Sequence, residues 1–438
     1  MNARPHAGPL AQEREKRPPS LEESEPAVSP APRSSRREDA LINSDFSQSL
    51  LTSAATIHDN AAPVSLVSGE RAGAMAGVTS KIEFSLATEA DDPGIRRLLR
   101  ENPMAGQISL SLEREPDYFT EARHSGARHQ TIVACDRGGI VCVGTCSFRQ
   151  RFVNGAPRRV GYLGGLRLDA RLGGRFDILR RGYRFFHDLQ RANPADFYFT
   201  AVAADNERAR QFLERSLPGM PRYECLGDFV TMLVPVPRGW KAAAGETPAT
   251  IVEEPLTVLR EHNRRYQFSP CWTTKELQAL HLLGLRLDDF RVARHQGEPV
   301  ACAALWDQRS FKQTVIRAYA VPLSWARPWI NLAARLWGRP GLPEAGSTLA
   351  HAAVSHLAAP VNQPEMIAGL ICSLFPLART KGIEWLTLGF AAADPRLAAL
   401  RDRIAAREYR SRLYRVRWPD LPDDALDDCL PGPEIALL

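Results

Sequence analysis

Residues 160–184 constrain the fold of this 438-residue chain more than any other segment. The apolar and small residues from Tyr162 to Leu168 predict a strand, and a polar turn with two glycines, Gly173 and Gly174, follows it. An amphipathic helix is predicted to begin near Arg175. Backbone N–H groups at a helix N-terminus attract negative charge, and glycine allows an anion to approach the backbone closely. The segment therefore predicts a connection that binds the phosphates of a nucleotide-like ligand.

The turn differs from two widespread phosphate-binding loops. The dinucleotide loop needs Gly-x-Gly-x-x-Gly and the ATP-type loop needs Gly-Lys-Ser/Thr, and neither pattern is present here. Residues 171–176, Arg-Leu-Gly-Gly-Arg-Phe, instead resemble the Arg/Gln-x-x-Gly-x-Gly/Ala loop with which GNAT N-acetyltransferases hold the pyrophosphate of acetyl-coenzyme A. The resemblance implies that the pantetheine arm lies along Leu166, Arg167 and Leu168. It also implies a pyrophosphate site formed by Arg171, Leu172, Gly173, Gly174, Arg175 and Phe176.

A second segment resembles the same family. Residues 206–214, Asn-Glu-Arg-Ala-Arg-Gln-Phe-Leu-Glu, are similar to its Asn-x-x-Ala-x-x-Phe-Tyr-Glu pattern, which implies that Asn206 and Ala209 also contact the coenzyme. Two positions depart from the pattern. Phe176 stands where a small residue is usual, and Leu213 stands where many members carry a tyrosine that protonates the departing thiolate. The resemblance implies acetyl-coenzyme A as the acyl donor and no metal ion.

The order of predicted elements over residues 80–235 is that of the GNAT fold. A strand at Ile82–Ala87 and a helix precede several strands, and helices and strands then alternate up to a last strand at Tyr223–Leu233. The predicted fold class is α/β (α+β), with a mixed, mostly antiparallel central sheet flanked by helices.

Residues 251–420 show much the same order of elements, without a repeat at the level of residues. We predict a second, divergent GNAT-like lobe there, preceded by a linker over 236–250 and followed by a tail over 421–438. Its strand-to-helix turn, residues 358–364, contains two prolines and no glycine. Proline lacks the N–H donor that a pyrophosphate requires, so this lobe is expected not to bind coenzyme A in the usual way.

Two other features of the second half lead to predictions. The polar segment 307–314 is compatible with the lining of a substrate cleft between the lobes, but a solvated hairpin is the favoured interpretation. Tryptophans are concentrated in this half, and we expect them to fill its core and the interface between the lobes. They are Trp272, Trp306, Trp325, Trp329, Trp337, Trp385 and Trp418.

No pair of carboxylates at a recognisable spacing identifies a general base. Attack of an amine on a thioester needs a carboxylate or histidine within reach, directly or through water. The candidate catalytic residues are Glu224, Tyr223 and Asp205. Structural alternatives exist for two of them: Tyr223 is an aromatic residue at the start of a strand, and Asp205 is positioned to face a helix dipole.

Residues 1–79 are rich in Pro, Ser, Ala, Glu and Arg and poor in aromatic residues. Such a segment buries too little apolar surface to offset the entropy lost on ordering. We predict a disordered arm, in which Leu41–Leu51 is a short transient helix or a docking segment for a protein partner.

Composition favours a cytoplasmic enzyme. The first twenty residues carry charges and prolines rather than a secretory signal, and no run of about 18 apolar residues predicts a membrane span. The eight cysteines form no Cys-x-x-Cys pair, so neither a zinc site nor a disulfide framework is indicated. The net charge of +6 suits a coenzyme with several phosphates. No basic helix face with interleaved aromatic residues is predicted, so a nucleic-acid partner is not indicated.

Two classes of function follow from these expectations. The first is an acyl-CoA-dependent N-acyltransferase, in its simplest form an N-acetyltransferase, in which an amine attacks the thioester directly in a ternary complex; an acyl group longer than acetyl is also compatible. The second is a non-catalytic acyl-CoA sensor or interaction protein, which Leu213 and Phe176 would mark. The tandem lobes also resemble peptidoglycan-bridge aminoacyltransferases that use aminoacyl-tRNA, but the pyrophosphate loop favours coenzyme A.

Overall fold

The strands of the first half include long hairpin partners that belong to a large sheet. The computed structural model describes residues 82–215, 217–238, 246–421 and 424–438, so the predicted arm and its docking segment lie outside the described residues. We call residues 82–238 the first lobe and residues from 246 onward the second lobe. The strands of the first lobe are β1 (Glu83–Leu86), β2 (Ile108–Glu113), β3 (Arg128–Asp136), β4 (Gly139–Val153), β5 (Ala156–Leu168), β6 (Phe197–Ala203) and β7 (Arg222–Pro235). Its helices are α1 (Asp92–Glu101), α2 (Thr120–His124), α3 (Phe176–Gln190) and α4 (Glu207–Glu214).

The second lobe repeats this alternation with its own strands and helices. Its strands are β8 (Glu246–Pro248), β9 (Phe290–His295), β10 (Glu298–Trp306), β11 (Gln313–Tyr319), β12 (His351–Ala358), β13 (Trp385–Ala391) and β14 (Arg407–Arg417). Its helices are α5 (Glu253–Asn263), α6 (Thr274–Ala279), α7 (Val321–Leu336), α8 (Pro364–Thr380) and α9 (Pro395–Arg401).

Twelve strands of the described residues form one continuous sheet in the order β1-β3-β4-β5-β6-β14-β7-β13-β12-β10-β9-β8. Neighbouring strands are antiparallel, except that β5 and β6, and likewise β12 and β13, run parallel. Helices cover the sheet, so the predicted fold class, a mixed and mostly antiparallel sheet flanked by helices, is confirmed.

The last strands of the two lobes are exchanged. Strand β14 of the second lobe pairs with β6 of the first, where Ser411 lies opposite Ala203, and β7 of the first lobe pairs with β13 of the second, where Leu233 lies opposite Thr387. The two exchanged strands also pair with each other. A two-stranded sheet of β2 and β11 joins the lobes a second time. The lobes therefore share backbone hydrogen bonds and cannot separate without breaking the sheet.

The tryptophans divide into two groups. Trp272, Trp306, Trp385 and Trp418 are buried, as expected for core residues. Trp325, Trp329 and Trp337 are exposed, with 81%, 74% and 67% of their surface accessible. The expectation that all of these tryptophans fill the core and the lobe interface is therefore wrong for the last three, which lie on or directly after α7.

Candidate active site

Strands β5 and β6 diverge in the middle of the first lobe. They pair in parallel only from Val160 to Tyr162, and beyond this point the facing edges of β5 and β6 are no longer paired, while the other edge of β6 stays paired with β14. The hydroxyl of Thr200 donates a hydrogen bond to the carbonyl oxygen of Leu163 at 2.7 Å, just beyond the last pair. The divergence opens a gap in the sheet beside Leu166, Arg167 and Leu168, the three strand residues predicted to contact pantetheine.

A β-bulge lies in β5 at this gap. Thr145 pairs with Gly164 and Val143 pairs with Arg167, so β5 carries one extra residue there. Gly165 has a φ of +62°, and a Cβ at this position would lie 3.1 Å from the Thr145 hydroxyl oxygen, which explains the glycine. Bulges change the direction of backbone groups, so β5 presents an irregular edge to the gap.

The predicted phosphate loop follows β5 and leads into α3. Gly174 has a φ of +91° and, with Gly173 and Arg175, is exposed. Most backbone N–H groups of the loop already donate within it: that of Leu172 to Asp169, that of Gly173 to Ala170, and that of Arg175 to Leu172. The Gly174 N–H has no hydrogen-bond partner among the described residues. The loop thus offers fewer amide donors than its sequence predicts.

Arginine side chains surround the loop and supply the positive charge. Arg171 pairs with Asp169, with Nε 3.0 Å from Oδ1, and Arg175 pairs with Asp177 at 2.8 Å between the same atom types. Arg208 of α4 lies over the Phe176 ring, 5.8 Å from its centroid, and reaches the Gly174 position. Arg208 was not among the predicted site residues, although it lies inside the second motif.

The remaining motif residues connect the loop to α4. The ring of Phe176 stacks on Phe212 with 4.6 Å between the centroids, which accounts for a large residue at this position. Asn206 caps α4 by accepting a hydrogen bond from the Ala209 N–H at 3.1 Å, and Ala209 is fully buried. Leu172 is partly buried and packs against the core of the first lobe.

An apolar cavity opens at the gap and lies between the sheet and α3, with a volume of about 700 Å³ when the part open to solvent is included. Leu163, Gly164 and Thr200 line it at the divergence of the strands, and Leu213, at the position of the family tyrosine, also faces it. The other lining residues are Phe84, Ile132, Ala134, Cys142, Gly144, Thr145, Leu166, Ile178, Leu179, Gly182, Tyr183, Phe186 and Tyr223. The sequence analysis did not predict this cavity.

The three candidate catalytic residues lie in different environments. Tyr223 lines the cavity, and its hydroxyl donates a hydrogen bond to the Tyr183 hydroxyl at 2.5 Å. Burial raises the pKa of both tyrosines, that of Tyr183 to about 12. Glu224 forms ion pairs with Arg417 and Arg415 of β14. Asp205 is exposed in the turn before α4. The structure therefore brings only Tyr223 of these three to the cavity.

A cluster of ionisable groups that the sequence analysis did not predict lies between the lobes. Glu121 lies 3.6 Å from Arg114, and the Ser125 hydroxyl lies 2.8 Å from Nε2 of His129. Lys312, from the polar segment 307–314, donates to the Leu438 carbonyl oxygen at 2.7 Å. Burial and the charge of Arg114 together lower the pKa of Lys312 to about 8, although Glu121 opposes the shift. Lys312 of the polar segment therefore lies near charged groups of the first lobe, and the lining of a substrate cleft by residues 307–314 stays a prediction.

Arg167, a residue of β5, lies near this cluster. Burial lowers its pKa to about 10, and the nearby charge of Arg114 acts in the same direction. The Nη1 atom of Arg114 is buried and has no hydrogen-bond partner among the described residues. Several positive groups therefore meet beside the strand that borders the gap, and they come from segments far apart in the sequence. Among the described residues, no group of three or more His, Cys, Asp or Glu side chains is arranged to hold a metal ion.

Comparison with known proteins identifies the fold. No protein-family model and no curated protein matches the chain. Saccharomyces cerevisiae N-myristoyltransferase with bound myristoyl-CoA superposes with a TM-score of 0.52 at 10% identity, over 81% of this chain and 88% of that one. The chain has the GNAT fold. A match over 81% of the residues extends across both lobes, so the tandem arrangement is part of the likeness.

Two acetyltransferase structures are also similar to the chain. One is the GCN5-related glucosamine N-acetyltransferase region of a fungal multi-domain GH3 β-N-acetylglucosaminidase, with a TM-score of 0.50 at 13% identity over 77% of this chain and 38% of that one. The other is a GCN5-related N-acetyltransferase from Sphaerobacter thermophilus, with a TM-score of 0.48 at 13% identity over 79% of this chain and 98% of that one.

The second GNAT lobe has an equivalent gap that the chain itself occupies. Strands β12 and β13 pair in parallel only from His351 to Ala353, and a bulge follows at His356, which has a φ of +53°. The carboxylate of Glu434 accepts a hydrogen bond from the His356 N–H at 2.8 Å. Residues 431–435 line the adjoining cavity of about 530 Å³. This occupation gives a physical reason to expect no coenzyme A at the second gap.

Glu434 makes stability depend on pH. Burial raises the pKa of its carboxyl from 4.5 to about 7, although hydrogen bonds from the His356 and Ala436 N–H groups and the charge of Arg151 act in the opposite direction. Because the folded state favours the protonated form, this group's contribution is present below about pH 4.5 and is lost as the pH rises through 7. We expect the free energy of unfolding of the wild type, relative to Glu434→Gln, to fall by about 3 kcal/mol over that range.

Chemical denaturation of both proteins at pH 4.5 and at about pH 8 measures this difference. The difference in the free energy of unfolding between the two proteins is the useful quantity, because burial lowers the pKa of His262, His351 and His356, and these groups contribute a slope of opposite sign at lower pH. Glu298→Gln, at an exposed position, is the control. An unchanged difference at the two pH values would show that Glu434 is ionised in the folded protein.

Proposed function

We propose that this chain is an acyl-CoA-dependent N-acyltransferase whose first lobe binds the acyl donor. The observation that carries the proposal is the gap between β5 and β6, which has the arginine-rich loop at one side and the apolar cavity beneath it. An acyl thioester needs these three environments in this order: a groove for pantetheine, a cationic loop for phosphate and an apolar space for the acyl group. The likeness to an N-myristoyltransferase that holds myristoyl-CoA supports this assignment.

In the proposed complex the pyrophosphate lies at the loop. The unpartnered N–H of Gly174 and the N-terminus of α3 contribute partial positive charge, and Arg171, Arg175 and Arg208 contribute full charges. Arg171 and Arg175 would exchange their present carboxylate partners for phosphate oxygens. Pantetheine would extend from the loop along Leu166, Arg167 and Leu168 toward the bulge.

The cavity favours an acyl group longer than acetyl. An acetyl group needs almost no space beyond the thioester, whereas the pocket here continues between the sheet and α3 with mostly apolar walls, as ligand pockets for apolar groups do. The hydroxyl-bearing side chains among its described lining residues are Thr145, Thr200 and the Tyr183–Tyr223 pair. We therefore propose a medium or long acyl chain in place of the acetyl group that the sequence predicted in the simplest case.

The amine attacks the thioester carbonyl carbon, a C–N bond forms, and the C–S bond breaks to release coenzyme A. Thiols ionise near pH 8.5, so the thiolate is a fair leaving group without an acid at Leu213. In this proposal the amine enters from the cluster between the lobes, where Glu121 and His129 are the candidates to take its proton. The surplus of positive charge there, including the unpartnered Arg114 Nη1, favours an acceptor amine that also carries an acidic group.

Calorimetric titration with acetyl-, octanoyl- and dodecanoyl-CoA tests the proposal. We expect one site per chain and a Kd that falls about fourfold for each methylene until the cavity is full, because burying a methylene contributes about 0.8 kcal/mol. Equal affinity for all three thioesters would place the acyl chain outside the cavity. Absence of binding would overturn the donor assignment and direct attention to aminoacyl-tRNA.

Turnover separates an enzyme from a sensor. The tight-binding thioester is incubated with a panel of amines, with and without carboxylates, and free thiol is measured. We expect thiol release that depends on an amine, with the acidic amines preferred. Binding without release for any amine would favour the second class of function, a non-catalytic acyl-CoA sensor.

A further inference from the structure

Helix α7 presents an apolar stripe to solvent. Its members recur every three or four residues and therefore share one face: Val321, Trp325, Trp329, Leu332 and Leu336. At 100° per residue they span about 80° of the helix circumference. Between 51% and 81% of the surface of each is accessible, and Trp337 extends the stripe past the end of the helix. Soluble proteins rarely expose so many large apolar side chains together.

The opposite face of α7 is held against the protein. Leu323 and Ile330 pack on a core cluster that includes Ile316 and Leu349, and Ala334 is buried. The Asn331 side chain accepts a hydrogen bond from the Leu342 N–H at 2.6 Å and donates one to its carbonyl oxygen at 3.0 Å. The orientation of the helix is therefore determined by packing and hydrogen bonds, and the stripe faces outward as a consequence.

Basic residues outnumber acidic ones around the stripe, and the acid that follows it, Glu344, lies with Oε1 3.9 Å from Nη2 of Arg327. Residues 320–343 contain three arginines and no aspartate or glutamate. Arg335 is exposed and lies about 40° from the edge of the stripe, whereas Arg327 packs over Tyr319 and donates to the Leu342 carbonyl oxygen. A face with tryptophan and leucine at its centre and arginine at its border is complementary to an anionic lipid surface, where tryptophan favours the boundary between headgroups and acyl chains.

We propose that α7 docks the protein on the surface of an anionic lipid bilayer. Trp325, Trp329 and Leu332 enter the boundary between headgroups and acyl chains, and Arg335 contacts the headgroups. The helix lies in the plane of the surface, since its other face is packed on the protein. No described helix is both long and apolar enough to cross a membrane. This inference does not depend on the proposed function, because no residue of the donor site takes part.

Co-sedimentation of the full chain with vesicles tests the proposal. Vesicles of phosphatidylcholine alone are compared with vesicles that also contain phosphatidylglycerol, at low and high salt. We expect binding to the anionic vesicles, a blue shift of tryptophan fluorescence, and weaker binding at high salt because ions screen the arginines. Absence of binding to anionic vesicles would overturn the proposal.

Two variants test whether the residues of the stripe are responsible for vesicle binding. Trp325→Ser with Trp329→Ser should weaken binding at least about tenfold and remove the blue shift, since two large buried side chains are lost. Arg335→Gln should weaken binding to anionic vesicles about fivefold and leave the small binding to neutral ones unchanged. Leu282→Ser, at an apolar position that is 61% exposed and distant in sequence, is the matched control.

Sedimentation equilibrium without lipid tests whether a second copy of the chain, and not lipid, covers the stripe. If the wild type is a dimer and the double tryptophan variant is a monomer, the stripe binds a second copy of the chain and the lipid proposal fails. Vesicle binding by the double variant at wild-type strength would also overturn it. Because all substituted side chains are exposed, we expect the variants to unfold at the wild-type temperature.

Discussion

The substitution Gly174→Asp is expected to weaken acyl-CoA binding at least about 100-fold while the fold is retained. Gly174 has a φ of +91°, which an L-residue adopts at a cost of about 1–2 kcal/mol. The new Cβ would meet only Nη2 of Arg208, at 3.7 Å, so there is space for the side chain. Its carboxylate would repel the pyrophosphate and compete for Arg171, Arg175 and Arg208, which removes the cations that the phosphate needs.

A matched variant tests whether backbone strain alone accounts for the loss of acyl-CoA binding. Gly297 lies in the β9–β10 turn with a φ of +89°, and a Cβ added there would have no heavy atom within 4 Å, so Gly297→Asp introduces similar strain far from the loop. Calorimetry with the tightest thioester should show normal binding for Gly297→Asp and none for Gly174→Asp, with equal losses of thermal stability. Retained binding by Gly174→Asp would refute the phosphate-loop assignment.

Filling the cavity is expected to change the preferred acyl chain. Gly144 lies on β4 and lines the cavity, and a Cβ there would be 3.5 Å from Cδ1 of Leu166, an ordinary contact. In Gly144→Leu the three further carbons occupy space that the acyl chain would otherwise fill. If they displace about three methylenes, dodecanoyl-CoA loses about 2.4 kcal/mol, or about 50-fold in affinity. Acetyl-CoA should bind as it does to the wild type.

The graded control for this experiment is Gly144→Ala, whose single methyl group fits at the ordinary contact distance. It should reduce dodecanoyl-CoA affinity by no more than about fourfold. Titration of both variants with both thioesters measures the effect. A parallel loss for acetyl- and dodecanoyl-CoA in Gly144→Leu would mean that the residue supports the strand and does not border the acyl chain.

Local patterns determined much of the first lobe. The strand, glycine turn and helix around residues 160–184, and the capped helix after Asn206, depend on neighbours a few residues apart, so their periodicity and turn residues are visible in the sequence. The second lobe was likewise predictable as an order of elements. Its helix α7 was not predicted, because Pro322 and Pro328 interrupt the usual pattern of a helix.

Tertiary structure decided the features that depend on distant partners. The β14 strand pairs with β6, about 200 residues away, and no local signal states which strand completes which lobe. The cluster around Glu121 and Lys312 and the cavity beneath the gap arise from several segments brought together by the sheet.

The tryptophans show the same division. The spacing of Trp325 and Trp329 places both on one helix face, and this the sequence determined by itself. Whether that face is buried depends on which side of α7 finds a partner, and Leu323, Ile330 and Asn331 decide it through contacts with residues elsewhere in the chain. A sequence specifies the period of an apolar pattern, but only the assembled structure determines whether water or protein lies against it, because burial is a property of the neighbours.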